Sequence, residues 1–286
     1  MPYVTVGNEN SAPIDLYYED HGSGQPVVLI SGYPYGGSSW DKQLRPLLSA
    51  GYRTITYDRR GFANSSQPAS GYDYDTFAAD LDVLMRELDL RDAILIGHSM
   101  GTGEVIHYLG SFGSERVSRA VVMSPLAPFL LKTSDNPEGV DQSLFDGFKK
   151  AVVEDRFAYL TSFVTSFFNW DENKGKRVSE EAFRAHWDVG ARASGIATLD
   201  CIDAWLTDFR PDLPRIDVPL LIIQGDKDAV LPFPATGQRL APMVPGSQLV
   251  TLKGAPHGIA WTHADEVNKA IMEFIGAKTP AMSRNR

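Results

Sequence analysis

The chain predicts an α/β protein: a mostly parallel sheet of eight strands flanked by helices, interrupted late by a block of helices. Three observations predict it. Short apolar or β-branched runs alternate with amphipathic stretches through the first 125 residues. The alternation stops over 126–214, where aromatic residues recur at helical spacing, and it resumes from 215. The expected division is therefore a core of 1–125 and 215–278, a helical lid of 126–214, and an unordered tail of 279–286. One such domain with an insertion accounts for the 286 residues.

The elements follow in order. "YVTV" (3–6) and "IDLYYED" (14–20) read as an antiparallel pair joined by the turn-rich "GNENSAP". "PVVLIS" (26–31) is continuously apolar, as for a strand covered on both faces, and "YRTITYD" (52–58) is the next strand. Between them "SSWDKQLRPLLSAGY" has a serine start, spaced apolar positions and a closing glycine, the pattern of a helix. "YDTFAADLDVLMRELDL" (74–90) is a second amphipathic helix, "DAILIG" (92–97) a buried strand, and "AVVMS" (120–124) a further strand. The insertion opens with "SLFDGFKKAVVEDRFAYLTSFVTSFFNW", two helices rich in Phe, Tyr and Trp, and "SEEAFRAHWDVGARAS" begins another at Ser179. "VPLLIIQGD" (218–226), "SQLVTL" (247–252) and the helix "ADEVNKAIMEFIG" (264–276) complete the core.

Composition narrows the class. With 43% hydrophobic and 22% charged residues the chain can bury a full core. A net charge of -9 argues against nucleic acid or an anionic membrane surface as the main partner. The single cysteine, Cys201, allows no intrachain disulfide and reads as an ordinary thiol. No basic start or long apolar run marks a secretory signal or a membrane span, so a cytoplasmic protein is expected. The expected partners are a small-molecule ester and, in a homo-oligomer, further copies of the chain.

The chemistry centres on "GHSMG". Ser99 follows the strand "AILIG" and precedes the helix "MGTGEVIHYLG", the strand–turn–helix setting of a nucleophile elbow. A serine needs a base. Of the six histidines, His98 lies inside the elbow, His107 on the helix after it, His21 in a surface turn, His186 in the lid, and His263 at the start of the last helix. His257 stands in "KGAPHGIAW", a tight loop after the last strand, and is the expected base. The acid lies in "GDKDAVLP" after the strand "LLIIQ"; both Asp226 and Asp228 are candidates, Asp228 favoured because it is further out toward the histidine loop. The helix start supplies the Met100 N–H to an oxyanion, and the loop "SGYPYGGSSW" supplies that of Tyr33. "GTGEVI" lacks the third glycine of a dinucleotide fingerprint, and no His/Asp/Glu spacing suits a metal, so no cofactor is expected. Pro34, Phe129, Phe157, Phe163 and Trp205 are candidates for the pocket lining.

Several stretches carry a resemblance that spans nearly the whole chain: "YYEDHGSGQPVVLISGYP", "TYDRRGFANSS", "GYDYDTFAADL", "SMGTGE", "DNPEGV", "WLTDFRPDLP" and "GAPHGIAWTHADEVN". The chain resembles the cofactor-free, metal-free haloperoxidase/perhydrolase group of α/β-hydrolase esterases. That resemblance implies an α/β-hydrolase fold and a carboxylesterase- or arylesterase-type serine hydrolase with Ser99, Asp228 and His257 as triad and Tyr33 and Met100 as oxyanion donors. It implies an acyl-enzyme that water resolves to acid and hydrogen peroxide to peracid, with lactones or lactams as further substrates. It also implies that Pro34 sets the backbone to present a carbonyl to bound peroxide. This chain has Ser31-Gly32 where the group usually has His-Gly, and His98 where its elbow usually has Phe; both bear on substrate preference. Two other readings share the fold: a C–C bond hydrolase of ring-cleavage products, and a small-molecule receptor without catalysis.

Overall fold

The computed structural model describes residues 2–276, so the expected tail of 279–286 lies outside the described residues. The strands are β1 (Tyr3–Glu9), β2 (Ala12–His21), β3 (Pro26–Ile30), β4 (Arg53–Tyr57), β5 (Ala93–His98), β6 (Val117–Met123), β7 (Leu220–Gly225) and β8 (Gln248–Leu252). The α-helices are α1 (Asp41–Ser49), α2 (Tyr74–Glu87), α3 (Met100–Phe112), α4 (Gln142–Phe168), α5 (Trp170–Asn173), α6 (Glu180–Ala191), α7 (Gly195–Ala204), α8 (Gly237–Met243), α9 (Ile259–Thr262) and α10 (Ala264–Gly276). All eight strands form one sheet in the order β1-β2-β4-β3-β5-β6-β7-β8. The β1–β2 and β2–β4 pairs are antiparallel and the other five parallel. The segment between β6 and β7 adds no strand to this sheet and carries α4 to α7.

The central strands are buried on both faces because each face meets helices. Val28, Ile30 and Leu95 pack with Phe77, Leu81, Val105 and Leu109 of α2 and α3. Their alternate neighbours Val27, Leu29, Ile94 and Ile96 pack with Leu47 of α1 and with Val267, Ile271 and Phe274 of α10. This is why β3 and β5 read as unbroken apolar runs and α10 as a one-sided stripe. Asp73 starts α2 by accepting the Thr76 N–H at 2.8 Å, and Ser179 starts α6 by accepting that of Ala182 at 3.0 Å.

One element differs from the sequence pattern. The turn expected over 7–13 shrinks to Asn10 and Ser11, with Glu9 paired to Ala12. Both turn residues take positive φ, 48° and 69°, so a two-residue turn closes the hairpin and the strands extend to meet it. The two expected aromatic helices are both present as the two halves of α4, which meet in a kink at Asp155, where φ/ψ are non-helical. The Asp155 carboxylate starts the second half by accepting the Phe157 and Ala158 N–H groups, both at 3.0 Å.

His107 ties α3 to the return from the inserted helices. Its Nδ1 lies 2.8 Å from Asp212 Oδ2 and its Nε2 2.7 Å from Asp75 Oδ1. The bond to Asp212, with Asp75 assisting, raises its pKa against the opposing effect of burial. A raised folded-state value means that the stabilisation is fully present below the unfolded value of about 6.5 and is lost as pH rises through the folded value. The Tm gap between wild type and His107→Gln is expected to be widest near pH 5 and to close on the alkaline side. A gap independent of pH in thermal melts would contradict this.

Candidate active site

Ser99 alone makes the turn between β5 and α3, at φ 52° and ψ -121°. A positive φ strains a serine, and the surroundings hold it there. Its N–H donates to Met123 O on β6 at 2.8 Å, and its carbonyl accepts the Thr102 N–H at 2.9 Å and the Thr102 hydroxyl at 2.6 Å. The turn closes only without side chains beside it. A Cβ on Gly97 would lie 2.5 Å from Gly101 O, and one on Gly101 would lie 2.2 Å from Ile30 O. The two glycines of "GHSMG" are thus steric requirements of pressing α3 against the ends of β3 and β5.

The structure brings Ser99, His257 and Asp228 to the carboxyl ends of β5, β8 and β7. His257 Nδ1 lies 2.8 Å from Asp228 Oδ2, with both side chains fully buried. A carboxylate only accepts, which assigns the proton to Nδ1 and leaves Nε2 an acceptor. His257 Nε2 is buried without a hydrogen-bond partner among the described residues. Asp228 Oδ1 accepts the N–H groups of Val230 at 3.0 Å and Leu231 at 2.8 Å, which fixes the carboxylate's angle. Asp226 takes a different place: its Oδ1 accepts the Gly254 N–H at 2.6 Å and ties the β7 turn to the loop leading to His257.

The loop after β3 lies against the serine. A Cβ on Gly32 would approach Ser99 Cβ to 2.8 Å. Gly32 O accepts the Tyr35 N–H at 2.9 Å, so the Tyr33 N–H of the same peptide points the opposite way. Neither the Tyr33 nor the Met100 N–H has a hydrogen-bond partner among the described residues. The Tyr33 ring is buried, its hydroxyl donates to Thr198 O on α7 at 3.0 Å, and burial raises its pKa well above the ordinary phenol value.

His98, beside Ser99 in the chain, holds the main chain of His257 and does not face Asp228. Burial, with the neighbouring His257 ring, pushes it down to about 3, so it stays neutral at ordinary pH. Its Nε2 lies 3.0 Å from His257 O, an acceptor, so Nε2 carries the proton and donates it. Ser124 Oγ donates to the same carbonyl at 3.2 Å. The elbow thereby grips the main chain of His257. His186 is buried on α6, its Nδ1 2.8 Å from Ala182 O and its ring roughly perpendicular to those of Phe168 and Trp261. Burial raises the Cys201 thiol pKa far above its ordinary value.

A cavity of about 510 Å³ opens on Ser99 and Tyr33. Of the five residues expected at the pocket, Phe163 and Trp205 line it. Phe129, Phe157 and Pro34 do not. Phe129 is buried under the Arg210 guanidinium, 5.0 Å away. Phe157 is 47% exposed on the outer side of α4, beside Trp187 and Arg156. Pro34 packs beside Gly190 on α6. The walls that sequence reasoning missed are Leu126, Leu130 and Val140 after β6, and Leu144, Phe148 and Ala151 on the first half of α4. Their apolar character gave no signal that separated a cavity wall from core.

Comparison with known proteins agrees with this architecture. The alpha/beta hydrolase fold family matches residues 25–264. A Synechocystis sp. protein provisionally named a non-heme chloroperoxidase is 62% identical over 275 residues, 96% of this chain and all of the relative. The bifunctional esterase/perhydrolase of Acinetobacter calcoaceticus is 33% identical over 96% of this chain and 99% of its own. Among solved structures, the bromoperoxidase from Bacillus anthracis superposes with a TM-score of 0.93 at 45% identity, covering 96% of this chain and 99% of that one. The expectation from the sequence stands on these matches and on the sheet order: the chain belongs to the alpha/beta hydrolase fold family.

Proposed function

We propose that the protein is a serine hydrolase of carboxylic esters that also performs perhydrolysis. The observation that carries this reading is the buried His257 Nε2, an acceptor without a partner, held by Asp228 beside the Ser99 elbow. In the proposed reaction His257 Nε2 takes the Ser99 hydroxyl proton as Oγ attacks the ester carbonyl. The oxyanion accepts the N–H groups of Met100 and Tyr33, which have no internal partner to give up. His257 then returns the proton to the leaving alcohol, and an acyl-enzyme remains on Ser99. Asp228 holds the ring and stabilises its charged form without taking the proton itself.

Water attacks the acyl-enzyme to release the acid. Hydrogen peroxide in its place attacks through one oxygen, His257 takes its proton, and the products are a peracid and free Ser99. Starting from a carboxylic acid, the balance is acid plus peroxide to peracid plus water, and no electron passes through the protein. The peracid then oxidises halide in solution, in keeping with the chloroperoxidase and haloperoxidase names of relatives. The inserted helices serve as a lid, since α4 and Trp205, at the end of α7, wall the cavity over Ser99. No helix among the described residues is long and apolar enough to cross a membrane.

The cavity walls are mostly apolar, and the charged side chains that line it are the carboxylates of Glu154 and Asp155. The favoured substrates are therefore uncharged esters with an apolar acyl or aryl group. For p-nitrophenyl esters, kcat/KM is expected to rise about fourfold per added methylene until the cavity is filled, as burying each contributes about 0.8 kcal/mol. The same preparation with acetate and peroxide is expected to yield peracid above a Ser99→Ala control. No turnover of any ester in the series would sink the esterase reading, and no peracid would sink the perhydrolase one.

A further inference from the structure

The two proposed oxyanion donors sit on separate pieces of chain, Tyr33 in the loop after β3 and Met100 at the start of α3. One buried ion pair bridges those pieces. Glu104, on α3, is fully buried, and Arg59, just beyond β4, is 3% exposed. The Arg59 Nε donates to Glu104 Oε2 at 2.7 Å, and its Nη2 donates to the Ser31 carbonyl at 2.9 Å. Tyr57 donates its hydroxyl to the other Glu104 oxygen. Arg59 thus reaches from the nucleophile's helix to the peptide that immediately precedes Gly32.

That peptide needs an outside anchor. Gly32 must lack a side chain because a Cβ would press on Ser99 Cβ at 2.8 Å and on His98 O at 3.0 Å. Without a side chain its φ and ψ are loosely restricted, and the Tyr33 N–H direction depends on both. The Tyr35 N–H holds the peptide after Gly32, and Arg59 holds the one before it. The Ser31 hydroxyl adds a local brace, donating to Gly36 O at 2.8 Å and accepting from Trp40 Nε1 at 3.0 Å. Among the described residues, Arg59 alone joins the loop by hydrogen bonds to the helix that carries Met100.

Stability does not account for the pair. Taking two charges out of water costs about as much as their attraction returns, and apolar replacements of similar volume are often neutral or better. Arg59 is moreover buried with its Nη1 unpartnered among the described residues, a further cost. What the pair provides is a fixed geometry across two elements.

We propose that Glu104 and Arg59 are positioning residues for the oxyanion site, setting the Tyr33 N–H relative to the Met100 N–H. This inference rests on the esterase reading above. Loss of such geometry costs rate without costing substrate binding.

The test compares Glu104→Ala, Glu104→Gln and Arg59→Lys with wild type, with folding checked by circular dichroism. Glu104→Ala is expected to lower kcat for p-nitrophenyl butyrate by about tenfold to hundredfold, with KM within about twofold. Affinity for a trifluoromethyl ketone, whose adduct with Ser99 places a negative oxygen in the same site, should fall in step with kcat/KM. Glu104→Gln keeps an acceptor for Arg59 and should stay within about threefold of wild type. If Glu104→Ala does not fold, Arg59→Lys carries the test. Its single ammonium cannot hold Glu104 and Ser31 O at the guanidinium's spacing, so the same loss of kcat is expected. A folded variant with lowered Tm and unchanged kcat overturns the proposal, as does a fall in kcat with ketone affinity unchanged, or Gln no better than Ala. Wild-type turnover lost in Ser99→Ala reports on the esterase reading, and the ratios among these variants report on the positioning role.

Discussion

Ser99→Ala is expected to lower kcat for p-nitrophenyl esters by on the order of 10⁴-fold or more, with Tm unchanged or slightly raised. The loss follows from removing the atom that forms the acyl-enzyme. Residual rate would come from binding and from the two N–H donors alone. Stability should hold because the anchors of this turn are the main-chain bonds to Met123 O and from Thr102, which alanine keeps. A fluorophosphonate should label wild type once per chain and leave the variant unlabelled, with the modified peptide containing residue 99. Stoichiometric labelling also excludes a receptor without catalysis. Retained turnover, or labelling at another serine, would overturn the assignment of the nucleophile.

Asp228→Asn is expected to lower kcat by on the order of 10⁴-fold with KM little changed, although it alters one atom. The carboxylate is oriented by two N–H donors, Val230 and Leu231, on Oδ1. In the amide, keeping the oxygen on those two main-chain donors at 3.0 and 2.8 Å gives up only the longer 3.3 Å bond from Gln224 Nε2, and turns the NH₂ group toward His257 Nδ1. A donor at that position favours the tautomer with its proton on Nε2, which cannot accept the Ser99 proton. Fluorophosphonate labelling should slow in parallel, since it depends on the same proton transfer. A variant retaining more than about a tenth of wild-type kcat would move the acid role away from Asp228. Asp226 is poorly placed to take it over, because its Oδ1 already serves the Gly254 N–H.

What the sequence revealed was what local pattern encodes. Strand and helix runs set the order of elements, and glycines at 97 and 101 marked a turn that tolerates no side chains. Rigid loops after β7 and β8 marked where Asp228 and His257 meet. The turn of the hairpin was shorter than its turn-rich stretch suggested, since Asn10 and Ser11 both take the left-handed backbone and close it in two residues. The cavity walls were illegible because Leu126, Val140 and Leu144 look like core until the space between them is known. Phe157 was misplaced for the converse reason: helical spacing does not say which face of a lid helix looks inward. The Arg59–Glu104 pair spans 45 positions, and a lone acid in the apolar helix "MGTGEVIHYLG" was its one trace.

The break in α4 at Asp155 has a consequence for how this enzyme can change. The second half of the rod is fastened to the chemistry: Phe163 packs on Tyr33 at 5.5 Å, Phe167 on His257 at 5.3 Å, and Phe167 O accepts the Gly258 N–H at 2.8 Å. The first half supplies Leu144, Phe148 and Ala151 to the far wall of the cavity. Because Asp155 ends one helical ladder and starts the next, a shift in the first half is not passed along as a rotation of the second. Mutational libraries confined to 142–154 should therefore recruit new substrates at little cost in turnover, whereas libraries in 156–168 should trade one against the other.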